Sequence, residues 1–268
     1  MSTTDKLFTG SIPEFYDRAM VPLIFEPYAR DLAERVVKLA PQSVLEVAAG
    51  TGVVTRALAA RLPAQTRIVA TDLNQPMLDH ARTRMADDPR ILWQQADAQA
   101  LPFEDARFDA VVCQFGAMFF PDRVGAYGQA RRVMRPGGHF LFNVWSAIEE
   151  NEFADEVTRA LGRLFPTDPP RFLARTPHGY HSADAIRADL HAAGFHVVAI
   201  EPLDAVSAAQ SPHEAAAAYC QGTPLRGEIE ARGGSLEEAT QTAANALGER
   251  FGKGPVSGRI RALVVVAG

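Results

Sequence analysis

The first half of the chain alternates short apolar runs with amphipathic stretches. The runs Val44–Val47, Ile68–Ala70, Ile91–Trp93, Phe108–Cys113 and Phe140–Trp145 are rich in β-branched and aromatic residues, the pattern of buried strands. Between them the apolar positions recur at helical spacing. Tyr28, Leu32, Val36 and Leu39 share one face, and Pro41 closes that segment. Val54, Leu58 and Leu62 form a second face; Met77, Ala81 and Met85 form a third, opened by Asn74 and Pro76. Strand and helix alternating in this way predict a parallel sheet with helices on both sides.

After Trp145 the rhythm changes. Phe153, Val157, Leu161 and Leu164 predict another helix, followed by a Pro-rich loop over 166–181. Ser182 is placed to cap a helix carrying Ile186 and Leu190, with Gly194 as its stop. Phe195–Leu203 reads as a sixth strand and Ile260–Val266 as a seventh. Between these two, Ser211 with Glu214 and Ser235 with Glu238 are capping-box starts of two helices. A loop of that length without structure is improbable, so 205–257 is expected to be a helical insertion. The domain expected around it comprises residues 1–204 and 258–268.

Composition narrows the class without naming it. The chain has 268 residues, 47% of them hydrophobic and 22% charged, which excludes disordered, collagenous and coiled-coil classes. Its 27 basic against 32 acidic residues give a net charge of −5, so no nucleic-acid partner is expected. Cys113 and Cys220 lie far apart with no metal spacing, which argues against a disulfide scaffold and against a metal site. The polar N-terminus and the lack of any run long enough to span a bilayer lead us to expect a cytoplasmic protein with no membrane association.

The informative stretch is residues 44–55, VLEVAAGTGVVT. A strand runs into Ala48, Ala49, Gly50 and Gly52, and a helix follows. Small residues there let the backbone turn sharply and approach a ligand, while the helix start offers free N–H donors. The next strand ends in Asp72, whose carboxylate can accept from both hydroxyls of a ribose. Asp97 follows the third strand at the same sheet edge and can accept from an adenine amine. Three strand ends in register thus carry what an adenosine ligand needs. A nicotinamide dinucleotide fingerprint wants a third glycine, and Thr55 stands in its place.

Glu46-x-Ala48-x-Gly50-x-Gly52 resembles the nucleotide-binding motif of the class I S-adenosylmethionine-dependent methyltransferases. TDLNQPML (71–78), QQADAQALPF (94–103), FDAVVCQFGAMFF (108–120) and RRVMRPGGHFLFNVW (131–145) are similar to that family's later motifs, in order. The resemblance is close over about residues 10–145, looser over the last two strands, and strongest toward the small-molecule branch that includes quinone-biosynthesis enzymes. Ala48 departs from it, since the family usually has glycine there.

The resemblance implies a Rossmann-like, doubly wound, seven-stranded α/β sheet, mostly parallel with an antiparallel last strand. It implies S-adenosyl-L-methionine as cofactor, a small-molecule acceptor, and a monomer or homodimer. Carried over by position, Glu46 and Ala48 belong to the binding motif, and Gly50 and Gly52 face the methionine and ribose portions. Asp72 holds the ribose; Leu73 and Met77 lie against the adenine, with Asp97 and Ala98 at its edge. Gln114 sits beside the methionine moiety, and Tyr16 resembles the aromatic that covers the cofactor. His178, Tyr180 and His181 occupy the loop where the family places acceptor contacts, which makes them the catalytic candidates. Arg131, Arg132 and Arg135 suit a helix C-terminus, and His139 a structural place. Two other readings stay open: a nucleotide-dependent oxidoreductase, and a non-catalytic S-adenosylmethionine-binding regulator.

Overall fold

Apolar residues on both faces of its central strands commit the sheet to burial between two helix layers. The computed structural model describes residues 12–85 and 88–268. Residues 1–11, the polar start of the chain, lie outside the described residues. The strands are β1 Ser43–Val47, β2 Arg67–Asp72, β3 Ile91–Gln95, β4 Phe108–Gln114, β5 Met134–Trp145, β6 Val198–Ala209 and β7 Val256–Ala267. They lie in the order β3-β2-β1-β4-β5-β7-β6. β1 to β5 pair in parallel, and β7 runs antiparallel to both β5 and β6. The mixed, doubly wound sheet is the one the sequence led us to expect.

Around it pack α1 Ile12–Phe15, a π-helical segment Tyr16–Phe25, α2 Glu26–Lys38, α3 Val53–Ala59, α4 Gln75–Thr83 and α5 Arg123–Val133. The second half adds α6 Glu152–Leu164, α7 Phe172–Arg175, α8 Ala183–Ala192, α9 Pro212–Gly222, α10 Leu225–Ala231 and α11 Leu236–Phe251. Successive strand residues alternate between faces. Val44, Ile68, Ala110, Val112 and Leu141 therefore meet Leu32 and Val36 of α2 and Val54 and Leu58 of α3. Leu45, Val69, Val111 and Phe142 point the other way, into a core completed by Tyr127, Phe153, Ile186, Tyr219 and Leu247. Helices α9 to α11 thus bury their apolar faces in the same core as the sheet.

The ends of elements moved. β6 continues to Ala209 and β7 begins at Val256, with Ala209 paired to Val256. Beyond Leu203 the residues alternate in exposure and, apart from the exposed Val206, are small or polar, so they keep the strand period without forming an apolar run. The strands therefore run past the boundaries expected at 205 and 257. Three helices rather than two lie between them, because α10 starts at Leu225 without a capping side chain. The two expected caps are present, as Ser211 accepts from Glu214 N and Ser235 from Glu238 N. The 136–138 turn lies inside β5, as a bulge opposite Asp109 that shifts the register between Phe108 and Ala110. Among the described residues, no helix is long and apolar enough to cross a membrane.

Candidate active site

β1 and β4 are neighbours whose chain connections run to opposite sides, and ligands of such sheets bind outside the strand C-termini at that point. The loop leaving β1 is wound left-handed there, with φ of +55° at Ala48, +56° at Gly50 and +78° at Gly52. It is tied down by Ala49 N to Thr71 O at 2.8 Å and Gly52 N to Ala49 O at 2.9 Å. Glycine adopts this conformation freely, whereas alanine does so at a cost of about 1–2 kcal/mol. The methyl of Ala48 also needs room. A Cβ placed on Gly116 would lie 2.6 Å from Ala48 Cβ and 2.7 Å from Cys113 Sγ.

A cleft of about 810 Å³, its mouth included, opens over this loop. Of the expected binding residues, Tyr16, Ala48, Gly50, Asp72 and Leu73 line it, as do Met77, Asp97, Ala98 and Gln114. Asp72 Oδ1 accepts from Asn74 N at 2.8 Å and Oδ2 from Gly50 N at 2.9 Å, so the carboxylate closes its own turn and braces the loop. Burial pushes its carboxyl up, and the amides of Asn74 and Gly50 pull against that shift. Asp97 Oδ1 accepts from Gln99 N at 2.9 Å, closing the same kind of turn after β3. Leu73 is 44% exposed at the cleft. Gln114 Nε2 donates to Phe25 O at 3.3 Å, while its Oε1 is buried with no partner among the described residues.

Two expected contacts do not line the cleft. Glu46 shares a strand face with Val44, so its side chain meets α3, where Thr55 Oγ1 donates to Glu46 Oε2 at 2.5 Å. Burial pushes this carboxyl up to about 8, against the Thr55 hydrogen bond and the Arg56 charge. Gly52 begins α3 instead, where a Cβ would lie 3.1 Å from the Trp93 ring and 3.2 Å from Ala81 Cβ.

A second cavity of about 580 Å³, its mouth included, adjoins the cleft and shares Tyr16, Phe115 and Phe119 with it. Its walls come from the π-helical segment, the end of β5, α7 with the loop after it, and α9. Phe115 is held left-handed at φ +50°, its N–H shared between Asn143 O and Asn143 Oδ1, both at 3.1 Å. Such strain costs on the order of 1–3 kcal/mol and persists where the surroundings enforce it. Its effect is to lay the Phe115 ring on Trp145, with centroids 3.8 Å apart and planes 7° from parallel. Tyr28 meets both rings edge-on.

The three catalytic candidates separate here. His178 is buried in the wall of the second cavity, with Nδ1 2.8 Å from Ser146 O, and burial pushes its pKa down to about 4. Tyr180 lines neither cavity. It is turned toward α5 and α8, donating to Asp189 Oδ2 at 2.7 Å under the Arg123 guanidinium. His181 is exposed, its Nδ1 2.7 Å from His178 O. Adjacent loop residues point different ways, so sequence proximity did not make a cluster. The basic residues near 131–135 are structural, with Arg132 donating to Leu101 O and Phe103 O and Arg135 paired with Asp109.

Sequence reasoning passed over Asp17. One buried carboxylate meets Arg56 Nη2 at 3.2 Å, His80 Nε2 at 3.3 Å and Arg84 Nε at 3.0 Å. Burial opposes its charge, but the His80 hydrogen bond and the Arg56 charge hold its pKa below the usual carboxylate range. The pairs fasten the π-helical segment to α3 and α4, and with it Tyr16. The signal was a lone acid between Tyr16 and the apolar residues that follow. Burial pushes the Tyr16 hydroxyl up, and the charges of Asp72 and Asp17 push it further.

A doubly wound sheet with two carboxylates at a switch-point cleft defines a Rossmann-like binder of a nucleoside-containing ligand. A methyltransferase domain family matches residues 44–138. A ubiquinone/menaquinone biosynthesis C-methyltransferase of Xylella fastidiosa is 33% identical over 164 residues, 57% of this chain and 65% of that protein's length. A demethylmenaquinone methyltransferase of Thermus thermophilus is 31% identical over 180 residues, 63% of this chain and 81% of that one. The structure of the YcgJ protein of Bacillus subtilis superposes with a TM-score of 0.56 at 18% identity, covering 88% of this chain and 97% of the other. The chain belongs to the class I S-adenosylmethionine-dependent methyltransferases.

Proposed function

We propose that this protein transfers the methyl group of S-adenosylmethionine to a small-molecule acceptor. The observation that carries the reading is the adjoining pair of cavities, one at the switch point lined by the carboxylates of Asp72 and Asp97 and one apolar, with Tyr16, Phe115 and Phe119 common to both. Methyl transfer needs two ligands held end to end with water kept out between them. Fixing two reactants in attack geometry is worth an effective molarity on the order of 10⁵–10⁸ M.

The residues of the cleft fit the cofactor. Asp72 retains lone pairs beyond its two backbone bonds, as a pair of ribose hydroxyls requires. Leu73 and Met77 offer apolar surface to a purine, and Asp97 stands at the edge of that surface. Gln114 Oε1, without a partner among the described residues, suits an ammonium donor. When bound, the cofactor supplies a sulfonium methyl that is already an activated electrophile. The protein's own work is then to align and enclose. Asp72 braces the loop that approaches the ligand, Tyr16 covers the cleft from the latched segment, and the aromatic walls exclude water from the second cavity. Within the 205–257 segment, Tyr219 of α9 and the Thr223–Pro224 link between α9 and α10 cap that cavity.

A screen of small-molecule acceptors with labelled methyl donor tests the reading. Label transferred to at least one acceptor, and lost when Asp72 is replaced by Ala, is the expected result. Cofactor binding without transfer to any acceptor class would favour the regulator reading instead.

A further inference from the structure

Phe115 stands in the wall common to the cleft and the second cavity, and β5 holds it at two points. Asn143 and Trp145 lie two apart on that strand and so project from the same face. Trp145 takes the Phe115 ring, stacked at 3.8 Å, and Asn143 Oδ1 accepts from the Phe115 N–H at 3.1 Å. Asn143 O accepts from the same N–H, also at 3.1 Å, so the side chain adds a second acceptor to a bond the backbone already makes. Asn143 itself lines neither cavity.

An amide is a costly side chain at that position. Asn143 is fully buried between Gln114 of β4 and Val264 of β7, and its Nδ2 has no partner among the described residues. A buried donor left unpaired costs more than an ordinary hydrogen bond returns. Leucine, of similar branched outline, would occupy the place without the orphan. What the amide supplies in exchange is Oδ1. Phe115 is left-handed at φ +50°, at a cost of the size of one hydrogen bond. Without Oδ1 the residue is free to return to extended or right-handed backbone, which swings its ring off Trp145. Gly116 follows, packed so closely on the loop after β1 that a Cβ there would lie 2.6 Å from Ala48 Cβ. A shift of this turn therefore reaches the cleft as well as the second cavity.

Resting on the methyltransferase reading for what the wall serves, we propose that Asn143 is a positioning residue whose Oδ1 fixes Phe115 as the partition between the cofactor cleft and the second cavity. It acts through Phe115 alone. The partition keeps the end of the cleft closed and the Trp145 wall covered, so the two compartments meet at one defined opening.

Acrylamide quenching of the full chain tests this, because Trp93→Phe leaves Trp145 as the only tryptophan. In that background Asn143→Leu and Asn143→Ala should raise the Trp145 quenching constant several-fold. They should also raise the S-adenosylhomocysteine Kd about three- to tenfold, the worth of one hydrogen bond. Asn143→Asp retains Oδ1 and should stay near wild type in both. Thermal melts show which variants are folded, and Asn143→Leu, which removes the orphan donor, should melt no lower than wild type. Adding Phe115→Gly removes the ring and the strain together, so Asn143→Leu should then change the Kd no further. Unchanged quenching in folded Asn143→Leu and Asn143→Ala overturns the proposal. So does an Asn143→Asp protein as open as Asn143→Leu, or a Kd effect that persists in the Phe115→Gly background. S-adenosylhomocysteine that fails to bind the wild-type chain removes the methyltransferase reading instead, while the quenching series, which needs no ligand, still decides the role of Asn143.

Discussion

Asp72 Oδ2 accepts a hydrogen bond from the backbone N–H of Gly50 at 2.9 Å, across 22 positions of sequence. The carboxylate at the end of β2 therefore builds the loop at the end of β1 as well as facing the cleft. Replacement by Ala removes both functions. We expect Asp72→Ala to weaken S-adenosylmethionine binding on the order of 10- to several-hundred-fold, from the loss of one to two charge-assisted hydrogen bonds. Asp72→Asn keeps an acceptor for the Asn74 amide and should lie between the two. Calorimetry of both variants checks the order; an Asp72→Ala protein binding within twofold of wild type contradicts the role.

Ala48 and Gly116 form a second pair to test. Gly116→Ala would set two methyl carbons 2.6 Å apart, so overpacking should destabilise by about 1–3 kcal/mol. Ala48→Gly vacates that space and relieves the left-handed alanine, at an entropic cost of similar size, so alone it should be near neutral. The double variant should recover part of the stability lost by Gly116→Ala, because the 2.7 Å approach to Cys113 Sγ remains. Denaturant midpoints across the cycle measure this coupling, and strict additivity would show that the two methyls do not meet.

The latch at Asp17 predicts a conformational effect. Asp17→Ala leaves Arg56, His80 and Arg84 unpaired, but all three are partly exposed and re-solvate, so the stability loss should be about 1–2 kcal/mol. The π-helical segment should loosen, opening the backbone at the already exposed Arg18 to trypsin and raising the cofactor Kd several-fold through Tyr16. Limited proteolysis with and without S-adenosylhomocysteine reads both changes. An unchanged cleavage pattern would mean that apolar packing alone holds the segment.

Two buried groups give stability opposite slopes with pH. His178 has a depressed native pKa of about 4, so between about pH 6.5 and 4 the unfolded chain binds the extra proton. Its contribution is full above that window and falls by roughly 3 kcal/mol as pH drops through it. Glu46 is the reverse, with a native pKa of about 8, so the folded chain holds the proton and stability falls as pH rises from about 4.5 to 8. His178→Asn should flatten the acid limb, and Glu46→Gln the decline between pH 6.5 and 8. Urea unfolding at stepped pH separates them, and a Glu46→Gln protein with the wild-type slope above pH 6.5 would show Glu46 ionised in the fold.

The order of the elements was legible because the central strands are apolar on both faces and the helices carry their periodicity plainly. The two acids that line the cleft were legible because each closes a turn just beyond a strand end, at a spacing set by the fold. Glu46 was misplaced toward the cleft because a motif states spacing, whereas strand alternation states direction. Tyr180 and His181 illustrate the same loss in a loop, where no period tells which side chain turns inward. The Phe115–Trp145 stack depends on a left-handed residue and on Asn143 behind it. Only the lone Asn inside the apolar run of β5 hinted at that arrangement. Asp17 joins groups from three distant segments, and no local pattern records such a meeting.

Calorimetric titration of the wild-type chain with S-adenosylmethionine, S-adenosylhomocysteine, NAD and NADP tests the central claim most directly. The switch-point cleft should bind the first two in the micromolar range and give no measurable heat with either dinucleotide. Tight binding of NAD with no response to S-adenosylmethionine or S-adenosylhomocysteine would contradict the account.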